Sequence, residues 1–451
     1  MIDLIEEKYS YLSNYALFKE RMNGKQSWLN DIRKDAILRF AELGFPTARN
    51  EEWRFTNVSP IAKIPFKPAV PLPNLLTISE IANYTVCEAK CTQLVFLNGF
   101  YSDKLSTVGF LSKGVRISSL SKAFDADRSL VEPFFARHAQ DEQNSFTALN
   151  MAFLEDGAFV YLPSETVLRD PIHLLFLSNS QPDPVLSVPR SLILAAAGSH
   201  ASIVESYASL DKGVYFTNSF TEIHAGAGST IDHYKLQRES ENAFHVATLQ
   251  VVQERDSSYS SHSLSLGGSI VRNNLNVTLN GTGADCTLNG LYVTKGRQHV
   301  DNHTSIDHAE PNCSSRELYK GILDDASSAV FNGRIVVRKD AQKTNARQNN
   351  RNLLLSKSAA INTIPQLQIF ADDVKCNHGA TIGQLNEDEL FYLRSRGIDQ
   401  PAARTLLTYA FASDLLRAIK LKPIQCQIDL VLLSRLSRQE EVPSSVFPVQ
   451  S

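Results

Sequence analysis

Turn signals recur at a nearly constant spacing through the middle of this 451-residue chain. Gly, Ser and Asp mark corners at 198–199, 228–229, 256–257 and 283, at intervals of about 30 residues, and further corners near 311, 325, 340, 356 and 372 follow at about half that spacing. The runs between corners are short and of β type, as where Leu275, Val277 and Leu279 alternate with polar residues. A β-sandwich turns every ~8 to 12 residues. The longer interval therefore predicts a parallel β-helix, in which each coil is buried only against its neighbours.

Helical patterns flank this β-type region on both sides. Apolar residues recur at helical spacing from Ser27 to Leu43, and a proline-rich linker runs from Ile61 to Pro73. After the region we expect three helices, at 387–396, 401–419 and 423–436, the first ended by Gly397. The predicted fold is mainly β and has three parts: an N-terminal helical region with its linker (1–90), the β-helix core (91–380) and a C-terminal helical region (381–451).

Composition excludes several classes of function. The 45 basic and 48 acidic residues leave a net charge of -3, too even for a chain that binds nucleic acid. No basic segment followed by an apolar stretch opens the chain, and no run reaches the ~18 apolar residues of a membrane span. The six cysteines are too sparse and irregular for a secreted disulfide framework. We therefore expect a cytoplasmic protein without a membrane span.

Familiar catalytic signatures are also missing. The sequence has no Gly-x4-Gly-Lys-Ser/Thr loop, so it predicts no ATP site on this chain. It also lacks a Gly-x-Gly-x-x-Gly turn after a strand and a Gly-x-Ser-x-Gly elbow.

The densest chemical run surrounds Cys376 and His378. Residues two apart in an extended strand lie on the same side, so this thiol and imidazole could both face one metal ion or a partner's groups. A buried thiol beside a hydrogen-bonded histidine is the alternative. A second cluster, which could equally be a polar corner of the coil, comprises His303, Asp307, His308 and Cys313.

The helix expected at 401–419 is apolar over a wide arc. This stripe either packs on its own domain or contributes to a groove contact with a partner. Its candidate partner-binding residues are Leu406, Leu407, Phe411, Leu415 and Leu416.

Several longer motifs carry a family resemblance. Between His303 and Ile398 these are Asp307-His308-Ala309-Glu310-Pro311, Glu317-Leu318-Tyr319-Lys320-Gly321, Phe331-Asn332-Gly333, Asn350-Arg351-Asn352 and Phe391-Tyr392-Leu393-Arg394-Ser395-Arg396-Gly397. They make the chain similar to the SufB/SufD family of iron-sulfur cluster assembly proteins. The form Lys375-Cys376-x-His378-Gly379, the entry segment Pro46-Thr47-x-Arg49-x-Glu51-x-Trp53-Arg54-Phe55-Thr56 and the overall length are more similar to the SufD branch than to the SufB branch.

The resemblance implies a right-handed parallel β-helix and a non-catalytic subunit of an assembly scaffold. It implies pairing with a SufB-like subunit through the β-helix, and docking of a SufC-like ABC ATPase on the C-terminal helices. It also implies that His378, with Cys376 beside it, takes part in building a transient iron or iron-sulfur site at the subunit interface.

Ligand number fits such a shared site. An iron-sulfur cluster usually takes four protein ligands, so one Cys and one His from this chain are too few, and a partner would have to complete the set. Three alternatives remain open: a SufB-like homodimeric scaffold, a purely structural adaptor without cluster ligands, and a carbohydrate-active β-helix enzyme. The last would need clustered carboxylates in an open groove.

Overall fold

The computed structural model describes residues 3–22, 26–71, 76–86, 91–135, 144–181 and 183–436. Its strands are β1 (Lys67–Pro68), β2 (Thr92–Leu97), β3 (Phe100–Tyr101), β4 (Arg116–Ser119), β5 (Ala158–Leu162), β6 (Ile172–Ser178), β7 (Val185–Ser187), β8 (Arg190–Ala195), β9 (His200–Ser209), β10 (Phe216–Ala225), β11 (Thr230–Arg238), β12 (Phe244–Gln253), β13 (Ser258–Ser265), β14 (Ile270–Leu279), β15 (Asp285–Thr294), β16 (His299–His308), β17 (Ser314–Leu323), β18 (Ser328–Val337), β19 (Asn345–Leu354), β20 (Ala360–Ile369) and β21 (Lys375–Gly383).

From β8 onward, successive strands alternate between two sheets. Sheet I contains β8, β10, β12, β14, β16, β18 and β20 in that spatial order, and sheet II contains β9, β11, β13, β15, β17, β19 and β21. The neighbours within each of these series are parallel, so two strands make one coil of a β-solenoid of about eight turns. The predicted mainly β class and parallel β-helix core are confirmed.

Apolar side chains from both sheets fill the space between them. This core runs the length of the solenoid and includes Leu174, Ile203, Tyr259, Val277 and Ile335, all buried. Corners use left-handed backbone where the expected turn signals lie, as at Gly198 and Gly228. The periodic corners and the alternating apolar residues together therefore set the coil.

The described helices are α1 (Asp3–Arg21), α2 (Asn30–Leu43), α3 (Ser59–Ala62), α4 (Ile78–Ile81), α5 (Leu120–Ala126), α6 (Arg128–Val131), α7 (Ser145–Ala152), α8 (Glu387–Ser395), α9 (Gln400–Arg417) and α10 (Lys422–Leu436). Three short 3-10 turns lie at Ser27–Leu29, Glu51–Trp53 and Ala82–Tyr84. The flanking helical regions are thus confirmed at both ends. The expected boundary near residue 90 and the terminal residues 437–451 lie outside the described part of the chain.

Side-chain caps begin the C-terminal helices at the expected places. The Asn386 side chain accepts hydrogen bonds from the backbone at the start of α8, and the Asp399 side chain accepts one from Ala402 N at 2.8 Å in α9. Gly397 follows the end of α8 and adopts a φ of 87°, in the left-handed region that glycine tolerates. Helices α9 and α10 then pack on the outer face of sheet II, where Lys320 Nζ donates to Phe411 O at 2.7 Å.

Candidate functional site

The solenoid ends in an open coil. Among the described strands, β20 pairs only with β18 and β21 only with β19, so each leaves one edge without a neighbouring strand. An exposed strand edge carries backbone donors and acceptors that a second chain can pair with. This end of the coil is therefore a natural place for a partner strand.

Cys376 and His378 both lie on β21. Their partners in register on β19 are Ala346 and Gln348, which are both fully buried inside the solenoid. Because residues in register share a face of a parallel sheet, the thiol and imidazole lie on the inward side of the last strand, as expected from their spacing. Cys376 is half-buried against the core, and His378 is exposed.

Burial raises the pKa of the Cys376 thiol, because the charged thiolate is disfavoured in apolar surroundings. The free chain therefore presents a thiol at neutral pH rather than a thiolate. A metal ion would have to displace the proton, since the thiolate is the form that ligates.

A buried carboxyl, which the sequence reasoning did not single out, lies on β17, two strands in from β21. Gln348, the register neighbour of His378, donates from Nε2 to Glu317 Oε2 at 2.7 Å. Burial raises the pKa of Glu317 to about 7, against the lowering effect of hydrogen bonds from Thr304 and Gln348. In the sequence analysis, the motif containing Glu317 was used only for the family resemblance. The sequence did carry a signal for a buried carboxyl, because this acidic residue alternates in phase with the inward-facing apolar residues of its strand.

Replacing Glu317 with glutamine should stabilise the protein at alkaline pH. Between pH 4.5, the ordinary pKa, and about 7, the unfolded chain has lost this proton while the folded chain keeps it. Stability therefore falls as pH rises through that window and stays lower above it. The glutamine variant removes this loss, and we expect it to gain roughly 2 to 3 kcal/mol in unfolding free energy at pH 8 and little at pH 4.5.

Urea unfolding of both proteins at several pH values measures this difference. Glu254→Gln is the matched control, because Glu254 is exposed and should show no such pH-dependent gain. A gain for Glu317→Gln that is equal at pH 4.5 and pH 8 would contradict the titration of this carboxyl.

The second candidate cluster does not come together. His308 is buried and its Nε2 lies 2.9 Å from Ser315 Oγ, whereas Asp307 is on the outer face, paired with Arg338 at 2.6 Å. Cys313 is buried at a corner, with its Sγ 3.3 Å from Gly281 O, and His303 lies on the outer face of sheet I. The alternation along β16 puts His308 on the opposite side from His303 and Asp307, and Cys313 lies beyond the strand at the following corner.

The apolar stripe of α9 is divided between two environments. Leu415 and Leu416 are buried in the cluster that holds α9 on sheet II, and Phe411 is half-buried against the same cluster. Leu407 is half-buried and Leu406 is exposed. Leu415 and Leu416 thus serve the chain's own core, and Leu406 is the member of the set that a partner could reach.

Large apolar side chains are exposed near the open coil, and the sequence reasoning did not identify them. Phe370, directly after β20, is 65% exposed, and Ile382 in β21 is 51% exposed. Helix α8, which follows β21 in the chain, adds exposed Phe391 and Tyr392. Exposed apolar side chains on an open strand edge are candidates for contact with a partner.

The described residues alone do not form a complete metal site. Within the described part of the chain, no group of three or more His, Cys, Asp or Glu residues is arranged to hold a metal ion. None of the helices in that part has the length and apolar character needed to cross a membrane. The structure therefore defines a β-solenoid that presents a thiol and an imidazole at the end of its last coil.

Comparison with known proteins identifies the family to which this β-solenoid protein belongs. Residues 176–411 match the family described as SUF system FeS cluster assembly, SufBD core domain, and residues 5–174 match the SufBD protein N-terminal region. The chain is 37% identical over 409 residues to an iron-sulfur cluster assembly SufBD family protein of Synechocystis, covering 89% of this chain and 90% of that protein. The chain therefore belongs to the SufBD family of iron-sulfur cluster assembly proteins.

Two further relatives extend the comparison. The chain is 29% identical to the iron-sulfur cluster assembly protein SufD of Escherichia coli, covering 85% of this chain and 88% of that protein. It is 32% identical to the chloroplastic protein ABCI7 of Arabidopsis thaliana, covering 88% of this chain and 84% of that protein.

Proposed function

We propose that this chain is a SufD-like subunit of an iron-sulfur cluster assembly complex, which pairs with a SufB-like subunit through the open end of its β-helix. One observation carries the proposal: Cys376 and His378 share the inward side of β21, a strand with an open edge. A partner strand added there would bring its own side chains beside this pair.

In this proposal iron or a nascent cluster is the cargo of the complex. Cys376 and His378 supply two ligands, and the SufB-like subunit supplies the others. Neither subunit alone would then hold the cluster, and separation at the interface would release it. The ATPase activity belongs to the partner, and this chain itself is a non-catalytic subunit.

A SufC-like ABC ATPase would dock on the C-terminal helices. Exposed Phe391, Tyr392 and Leu406 offer apolar contacts on α8 and α9. Helix α9 is tied to the solenoid through Lys320 Nζ, which lies 2.5 Å from Asp414 Oδ1. Movement of a docked ATPase could therefore be transmitted to the coils that lead toward the open end.

Replacing His378 with alanine in the co-assembled complex tests the ligand role. We expect the iron and acid-labile sulfide recovered after anaerobic purification to fall about tenfold, because loss of a ligand weakens metal binding strongly. His200→Ala is the control, since His200 is also exposed on a strand of sheet II but lies far along the solenoid from β21.

The stoichiometry of the complex should stay unchanged in both variants, so that loss of cargo is separated from loss of assembly. Normal iron and sulfide contents in His378→Ala would overturn the ligand role and favour a purely structural adaptor. Recovery of the chain as a homodimer, with no SufB-like partner bound, would instead favour the homodimeric scaffold.

A further inference from the structure

A polar groove runs along the outer face of sheet I and reaches the last strand, β20, on the face opposite to the inward side that carries the core. Its cavity volume is 530 Å³, which is in the range of small-molecule sites. The 3-10 turn Glu51–Trp53 and the start of α7 form its walls, and outward side chains of β14, β16, β18 and β20 form its floor. The sequence reasoning had considered His303 as part of the second candidate cluster, but it did not predict a groove here.

A polar network fixes the wall to the floor. Glu52 Oε2 lies 3.0 Å from His303 Nδ1, and the other ring nitrogen of His303 lies 3.1 Å from Asp301 Oδ1. Arg272 binds Asp301 at 2.5 Å and donates to Glu52 O at 2.8 Å, with its guanidinium 4.3 Å from the centre of the Trp53 ring. The hydrogen bond from His303 lowers the pKa of Glu52, so this carboxylate is ionised at neutral pH. The groove is therefore a built feature with a fixed shape.

The floor is an array of polar side chains in strand register. One row holds Asn276, Ser305, Arg334 and Gln366. The row beside it holds Asn274, His303 and Asn332. Adjacent strands are ~4.8 Å apart, so these groups form a regular surface of hydrogen-bonding atoms.

Much of the hydrogen-bonding capacity of this floor is open to a ligand. The Asn276 side chain has no hydrogen-bond partner in the part of the chain that the structure describes. The hydrogen bonds of Arg334 in that part of the chain go to Ser305 Oγ, at 3.3 Å, and the contact between Gln366 Nε2 and Asn332 Oδ1 is a long 3.4 Å. An amide offers two donors and an acceptor oxygen and a guanidinium offers five donors, so Asn276, Gln366 and Arg334 keep hydrogen-bonding capacity for a ligand.

The charge of the lining disfavours an ionic ligand. The lining carries both signs of charge: Arg272 and Arg334 lie beside Glu51 and Glu52, and Arg272 is also paired with the buried Asp301. An anion would meet the glutamates of the wall, and a cation would meet the arginines of the floor. Amides donate and accept side by side, which matches hydroxyl groups, since each hydroxyl also donates and accepts.

We propose that this groove binds a small, uncharged, polyhydroxylated molecule such as a monosaccharide. An extended peptide lying across the strands fits the floor less well, because its alternate residues repeat at ~6.8 Å whereas the groups within each row repeat at ~4.8 Å. The proposal concerns binding alone and is independent of the role of Cys376 and His378.

Saturation-transfer NMR on the full chain tests this, with D-glucose and D-ribose as probes and sulfate and tetraglycine as the competing ligand classes. We expect a saturable sugar signal with a dissociation constant of about 1 mM. Binding of this kind is weak because water competes with the sugar hydroxyls for the same hydrogen-bonding groups of the site. Asn276→Leu combined with Gln366→Leu should weaken it at least about tenfold, because both substitutions remove polar contacts from one row.

The control is the next outward row on the same two strands, Thr278→Val combined with Gln368→Leu, which should leave the sugar signal unchanged. The two groove positions and the two control positions all face outward. Asn332→Leu is a second groove variant for use if the double groove variant folds poorly. Competition for the groove by sulfate or tetraglycine without sugar binding would overturn the proposal. Equal sugar signals in the groove and control variants would overturn it as well.

Discussion

Replacing Glu222 with leucine is expected to lower the free energy of unfolding by about 3 to 5 kcal/mol. Arg190 Nη2 lies 2.8 Å from Glu222 Oε2, and both side chains are completely buried. The guanidinium also lies 4.0 Å from the centre of the Phe220 ring and donates to Asn150 Oδ1 at 3.3 Å. Loss of the carboxylate would leave a charge that cannot be neutralised, because arginine keeps its proton at any accessible pH.

The opposite substitution should behave differently with pH. Arg190→Met leaves Glu222 buried without its cation, and a carboxylate in that position can take up a proton. Its destabilisation should therefore be smaller at pH 5 than at pH 8, whereas that of Glu222→Leu should be similar at both. The double variant should lie closer to the wild type than Glu222→Leu does, because neither charge is left alone.

Urea unfolding of the three variants at the two pH values measures these differences. Arg39→Ala is the control, because Arg39 pairs with Glu42 at the surface and should cost below about 1 kcal/mol. A double variant as unstable as Glu222→Leu would show that the contacts of the guanidinium with Phe220 and Asn150 matter more than the ion pair.

The sequence was sufficient to predict the solenoid, since a coil repeats the same local requirements. Each corner needs a residue that tolerates tight backbone, and each strand needs alternate apolar side chains, so both signals recur along the chain. The spacing of Cys376 and His378 was likewise enough to put both on one side of a strand. The capping residues Asn386 and Asp399 began their helices where expected.

The remaining features depend on which strands become neighbours, and no local pattern encodes that. Glu317 lies beside Gln348, and Gln348 beside His378, only because successive turns of sheet II align in register. The groove needs Glu52 to meet His303, 251 positions further along the chain. The helical stripe of α9 was visible, but its periodicity could not tell that Leu415 faces sheet II while Leu406 faces outward.

Replacing both Phe370 and Ile382 with aspartate is expected to abolish association with a SufB-like partner, with a loss of affinity of about 100-fold or more. Both side chains are exposed in the free chain and lie at the open end of the solenoid. In the proposed interface they would be buried, and two carboxylates in that place would lose their hydration without gaining cations. Large aromatic residues at the centre of an interface contribute most to binding.

The same double variant should leave the stability of the chain itself nearly unchanged, because substitutions of exposed side chains outside special sites usually shift it by less than about 0.5 kcal/mol. Co-purification of the two subunits and analytical ultracentrifugation of their mixture measure the association, and urea unfolding measures the stability. The two readouts separate a lost interface from a lost fold.

Val108→Asp combined with Phe110→Asp is the matched control. It adds the same charge at two exposed apolar positions between β3 and β4, at the other end of the solenoid. We expect this control to bind the partner normally, because it changes the net charge without touching the open coil. Normal binding by the Phe370 and Ile382 variant would exclude the open coil as the interface, and Cys376 and His378 would then lack a partner to complete their ligand set.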